Sequence, residues 1–91
     1  MFALISIPPT LQPLCGGDST LQVSPGTLGE IFNQLHQRFN GIRERLCDAN
    51  GRLRGSVLVF VNEQDVRFLQ GEQTVIRCGD AVTIIPAFAG G

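Results

Sequence analysis

Thr27-Leu28-Gly29-Glu30-Ile31-Phe32-Asn33-Gln34-Leu35-His36-Gln37-Arg38-Phe39 decides the fold, because it is the one long run of helical spacing in the chain. Leu28, Ile31, Phe32, Leu35 and Phe39 recur every three or four residues, so one face of a helix is apolar and must lie on something. Thr27 and Glu30 have the spacing of a capping box, in which each side chain satisfies the other's unpaired backbone N–H. Ser24-Pro25-Gly26 breaks the chain before the helix, and Asn40-Gly41 offers a C-cap after it. Ile42 to Leu46 predicts one further helical turn. His36 falls at the edge of the apolar face with no second ligand or nucleophile near it in sequence, and reads as a surface or boundary residue.

Strand patterns lie on both sides of this helix. Phe2 to Ile7 predicts a strand that ends at Pro8-Pro9, since proline cannot donate to a ladder. Cys15-Gly16-Gly17-Asp18-Ser19 is a turn cluster, and Leu21-Gln22-Val23 a short second strand completing an N-terminal hairpin. Beyond the helix, Asp48-Ala49-Asn50-Gly51-Arg52 reads as a mobile polar loop. Val57-Leu58-Val59-Phe60-Val61 is the clearest strand, with valine at every second position. Val66-Arg67-Phe68 is expected to run extended, Thr74-Val75-Ile76 to be ordered, and Val82 to Ile85 to form the last strand. One helix with four or five strands gives a two-layer α+β domain, the helix packed across one face of a mixed sheet. This order is compatible with a β-grasp and equally with other small α+β folds.

Composition bounds the function. Ninety-one residues, 43% hydrophobic and 16% charged, make one folded domain rather than a disordered chain. A net charge of −1 points to neither nucleic acid nor an anionic membrane. All seven basic residues are arginine, so no isopeptide chain can be built on a lysine of this protein. Cys15, Cys47 and Cys78 are odd in number and widely spaced, with a single histidine in the chain, which argues against a zinc site or a disulfide framework. They read as free thiols of a reducing compartment; Cys78, near the last strand, is the one that could relay sulfur. The N-terminus lacks a positive n-region and no segment approaches a membrane span, so a soluble cytoplasmic protein is expected. No Ser/His/Asp or Cys/His constellation, phosphate-binding glycine loop or paired-carboxylate motif supports a stand-alone enzyme.

The last strand leads through Ala87-Phe88-Ala89 to Gly90-Gly91, where no turn requires glycine. A side-chain-free end can thread a narrow pocket and present its carboxylate, so Gly91 is read as the reacting group. Residues 1–86 are expected as the domain and 87–91 as a flexible tail, with a reach of roughly 15–18 Å when extended.

Three segments carry a resemblance: Phe60 to Phe68, Cys78 to Pro86, and Ala87 to Gly91. They resemble the MoaD/ThiS sulfur-carrier proteins, which have the ubiquitin-like β-grasp fold. Through Ile5-Ser6-Ile7-Pro8 and Ile42-Arg43-Glu44-Arg45-Leu46 the chain is most similar to the CysO branch, which carries sulfur for cysteine synthesis. The resemblance implies that a ubiquitin-activating-type adenylyltransferase uses ATP to adenylate Gly91, and that sulfur then replaces the adenylate to give a thiocarboxylate. It implies a client synthase that accepts the sulfur, a protease or hydrolase that releases product, and no cofactor bound to the carrier itself. Gly90, Ala89 and Phe88 would be the threading residues; Phe88 is bulkier than the small residue expected there.

Partner choice must then come from the open face of the sheet. Valines suit the buried face, which leaves Leu58, Phe60, Thr83 and Ile85 as an apolar docking patch, the converse being a core of Leu58 and Phe60 with the valines outside. Arg67 is a further candidate contact, for acidic partner surfaces. Molybdopterin synthesis and thiazole synthesis are alternative destinations for the sulfur. A ubiquitin-like protein modifier and a plain interaction module are alternatives of another class.

Overall fold

The computed structural model describes residues 1–86; the expected tail, Ala87 to Gly91, lies outside them. Strand β1 (Ala3–Ser6) is followed by a 3-10 turn over Gln12–Cys15, then β2 (Thr20–Val23) and the two-residue β3 (Gly26–Thr27). Helices α1 (Leu28–Arg38) and α2 (Ile42–Leu46) come next. Strands β4 (Val57–Val61), β5 (Gln64–Asp65), β6 (Val75–Ile76) and β7 (Ala81–Pro86) complete the order. Five strands form one mixed sheet, β2-β1-β7-β4-β5, in which the first and last strands lie side by side as a parallel pair, β1 with β7. Strand β7 also pairs antiparallel with β4, from Val57 opposite Pro86 to Val61 opposite Val82. This is the β-grasp.

Helix α1 forms where the apolar spacing places it. Thr27 Oγ1 accepts the Glu30 N–H at 3.2 Å while Glu30 Oε1 accepts the Thr27 N–H at 2.8 Å, closing the expected capping box. Leu28, Ile31, Phe32 and Leu35 are buried against the sheet face made by Ala3, Ile5, Val57, Val59, Val61, Val82 and Ile84. Polar ties fix the crossing. The Gln34 amide exchanges hydrogen bonds with the backbone of Ser24, and Arg38 donates to the Gln22 carbonyl at 2.9 Å.

Four local expectations change. The helix ends one residue earlier, with Phe39 leaving in extended backbone; Gly41, at φ 88°, starts α2 rather than capping α1. Val66–Phe68 is a 3-10 turn and not a strand, because the Asp65 carboxylate accepts the Arg67 N–H at 2.8 Å and caps it. Residues 48–52, expected to be a mobile loop, form a hydrogen-bonded turn: Asp48 Oδ1 accepts the N–H groups of Asn50 and Arg52. Gly26, read as part of a break, pairs together with the N-cap Thr27 as β3 with β6.

Candidate functional site

Period 2 along β4 and β7 sorts the side chains onto two faces. Val57, Val59, Val61, Val82 and Ile84 point under the helix, and Leu58, Phe60, Thr83 and Ile85 stand on the opposite, uncovered face. Leu58 lies across from Ile85 and Phe60 across from Thr83, so the four form one contiguous block at the centre of the sheet. Leu4 on β1, which pairs with Ala81, is 46% exposed and widens the apolar stripe. The sequence reading passed over Leu4, although its alternation with buried Ala3 and Ile5 carries the signal.

Two shallow concavities mark this face. One, of about 280 Å³, is lined by Phe60, Glu63, Thr83 and Ile85. The other, of about 310 Å³, runs between the ends of β1 and β7 and is lined by Ser6, Ile7, Pro8, Pro9, Thr83, Ile84 and Ile85. Both share Thr83 and Ile85, the part of β7 that leads to Pro86. Gly91, Gly90, Ala89 and Phe88 lie beyond the described residues.

Arg67 is engaged within the molecule. Its guanidinium turns along the sheet edge, where Nη2 donates to the carbonyls of Val57 at 2.8 Å and Arg54 at 3.0 Å, with that of Gly55 at 3.4 Å. Strand β5 pairs only with Phe60 and Val61, so the start of β4 has no strand on that side. Arg67 covers the uncovered edge and pins the turn that leads into Val57, the partner of Pro86. These bonds hold the root of β7's neighbour.

At the far end of β7 the β4–β5 turn is tied to the turn before Ala81. Asn62 Nδ2 donates to Asp80 Oδ1 at 2.9 Å, and Asn62 Oδ1 accepts the Ala81 N–H at 3.0 Å. The Arg77 N–H, donating to Asp80 Oδ2 at 2.8 Å, and then Asn62 hold the Asp80 carboxyl below the usual carboxylate range.

A further concavity, about 490 Å³, lies elsewhere, between α2 and the 48–52 turn, and includes His36, Arg43, Cys47 and Arg54. His36 is exposed there. Burial, with the Glu72 charge adding to it, pushes the Cys47 thiol up, and burial does the same to Cys15, so neither is a ready nucleophile. Cys78 is exposed. Among the described residues, no group of three His, Cys, Asp or Glu side chains is placed to hold a metal, and no helix is long and apolar enough to cross a membrane.

Residues 7–91 match the model of the ThiS family. The chain is 44% identical to the sulfur carrier protein CysO of Mycobacterium tuberculosis H37Rv, over the whole of both chains. It is 34% identical to small archaeal modifier protein 3 of Haloferax volcanii, covering 71% of this chain and 70% of that one. The structure superposes on a crystal structure of the BexX/CysO complex of Amycolatopsis orientalis with a TM-score of 0.90 and 36% identity, covering 98% of this chain and 99% of the other.

Proposed function

Because the chain belongs to the ThiS family, we propose that it is a sulfur carrier whose Gly91 carboxylate is converted to a thiocarboxylate, and that the sulfur goes to cysteine synthesis. The observation that carries this reading is the full-length identity to a named sulfur carrier. The family match running to Gly91 supports the choice of reacting group. Chemistry supplies the rest. A carboxylate is a poor electrophile, so ATP first converts it to an acyl-adenylate with release of pyrophosphate. Sulfide then adds to the acyl carbon, AMP leaves, and sulfur is held at a defined address. The carrier contributes no acid, base or metal to these steps; the adenylating partner supplies them.

The domain's part is recognition. Leu58, Phe60, Thr83 and Ile85 form the surface on which the activating enzyme and the client synthase dock. They sit on the neighbouring strands β4 and β7, and β7 is the last strand before the tail in sequence. Phe88, Ala89 and Gly90 thread the partner's channel, where Cβ atoms at the last two positions would crowd the chain.

The test is intact-protein mass spectrometry after incubation with the activating enzyme, ATP and sulfide. Replacement of one oxygen by sulfur, lost when Gly91 is deleted, is the expected result; an unchanged wild-type mass refutes it. A second reading, conjugation of Gly91 to lysines of other proteins, draws on the likeness to the archaeal modifier. Incubation with lysate and ATP separates the two, since a modifier yields ladders of conjugates and a carrier yields the thiocarboxylate alone.

A further inference from the structure

Among the described residues, two that bear side chains stand at positive φ, Asn62 at 49° and Glu63 at 76°, and they are neighbours. They are the central residues of the β4–β5 hairpin, where Val61 pairs with Gln64, and a two-residue hairpin loop of this hand requires the left-handed region at both. Asparagine tolerates that region, and the hydrogen bonds of Asn62 to Asp80 and Ala81 account for it here. Glutamate does not. Glycine would take the second position without strain, and among the described residues no hydrogen bond rewards Glu63 for being there. A strained side chain with no internal use is a mark of function.

The position supplies the use. Glu63 is exposed and lines the 280 Å³ concavity with Phe60, Thr83 and Ile85. The neighbouring acids on this edge are engaged inside the molecule, Asp65 by the Arg67 N–H and Asp80 by Arg77 and Asn62. Glu63 thus sets a carboxylate on the rim of an apolar depression. We infer that Glu63 is the charged anchor of the docking face, and that the protein surface it receives presents an apolar side chain flanked by arginine or lysine. Charge complementarity at a rim governs encounter and partner choice more than tightness, and it is screened by salt. A partner with an acidic flank is repelled.

The inference rests on the sulfur-carrier reading for the identity of the partner, the enzyme that activates Gly91. The test measures initial rates of thiocarboxylate formation with that enzyme, ATP and sulfide as carrier concentration is varied. Wild type, Glu63→Gln and Glu63→Gly are compared at low and high salt. Glu63→Gln is expected to raise the half-saturating carrier concentration roughly two- to fivefold with the maximal rate unchanged, the gap closing at high salt. Glu63→Gly is expected to show the same loss while melting at or above the wild type, since the strain is gone. Loading of all three with the same half-saturation overturns the inference and leaves the carrier reading standing, and a Glu63→Gly protein that melts lower also overturns it. No loading of the wild type at any concentration overturns both.

Discussion

The two faces of the β-grasp sheet are built from the same strands and do opposite things. On β4 the sequence Val-Leu-Val-Phe-Val puts three valines under α1 and leaves Leu58 and Phe60 half-buried outside; β7 repeats this with Val82 and Ile84 inside, Thr83 and Ile85 outside. The inner face is closed by Leu28, Ile31, Phe32 and Leu35 and carries the stability of the domain. The outer face is apolar without being closed. The difference teaches that an open apolar face flanking β7 is not a packing failure, since the chain packs the alternate residues of the same strands completely. It also means that substitutions one residue apart should separate folding from partner recognition.

The largest expected effect comes from setting Phe32 against Ile85. Phe32 is 1% exposed and Ile85 41%. Phe32→Ala should cost about 3–5 kcal/mol through lost contacts and a residual cavity. Against a total of about 5–10 kcal/mol for a domain of this size, that leaves it marginal. Ile85→Ser should change stability by no more than about 0.5 kcal/mol, while weakening loading by the activating enzyme. Urea titration of both variants checks this. Comparable losses at the two positions would mean that the outer face is a structural surface, and the contrast would be gone.

How much of this was legible beforehand depends on how local each determinant is. The capping box, the α1 stripe and the two-face alternation of β4 and β7 are readable because three- or four-residue and two-residue periods carry them. Gly41 was misread because a left-handed glycine serves the end of one helix or the start of the next, and only the packing of Ile42 and Leu46 in the core decides. Val66-Arg67-Phe68 has strand-forming residues, yet the Asp65 cap wins locally. Strand β3 exists only because β6 arrives from about fifty residues away. The hydrogen bonds of Arg67 are not legible because nothing in its sequence neighbours reveals that the carbonyls of residues 54–57 lie beside it in space. The site was legible as a pattern of exposed alternates, and Glu63 escaped because hairpin strain appears only in backbone angles.

Arg67 gives the next contrast, between a face and an edge. Arg67→Ala removes the donor shared by the carbonyls of Val57 and Arg54, and should cost about 1.5–3 kcal/mol as a charged hydrogen-bonding group. Hydrogen exchange should quicken at the start of β4 while the amides of β1 and β2 stay protected. Uniform quickening across the sheet would show that Arg67 supports the whole fold and not that edge. Thr27→Ala breaks the capping box and should cost about 1 kcal/mol, felt equally by both faces. Thermal melts resolve this, and a loss of loading beyond the loss of folded protein would contradict it.

The smallest effect concerns Asp80, which belongs to neither face but fixes the end from which β7 starts. Its folded carboxyl titrates below the ordinary value, chiefly because the Arg77 N–H and then the Asn62 amide donate to the ionised form. A depressed folded pKa adds stability that is fully present above the unfolded value of about 3.9, and that is lost as pH falls through the folded value. Asp80→Asn cannot lose what it lacks. The melting temperature of the wild type should therefore exceed that of Asp80→Asn near neutral pH, and the gap should shrink as pH is lowered from about 5 toward 2. Asp48, also depressed by N–H groups of its own turn, titrates in both proteins and cancels in the difference. Two melting curves that stay parallel across this range would show that Asp80 contributes through shape alone, and the ionised form would have no part in anchoring β7.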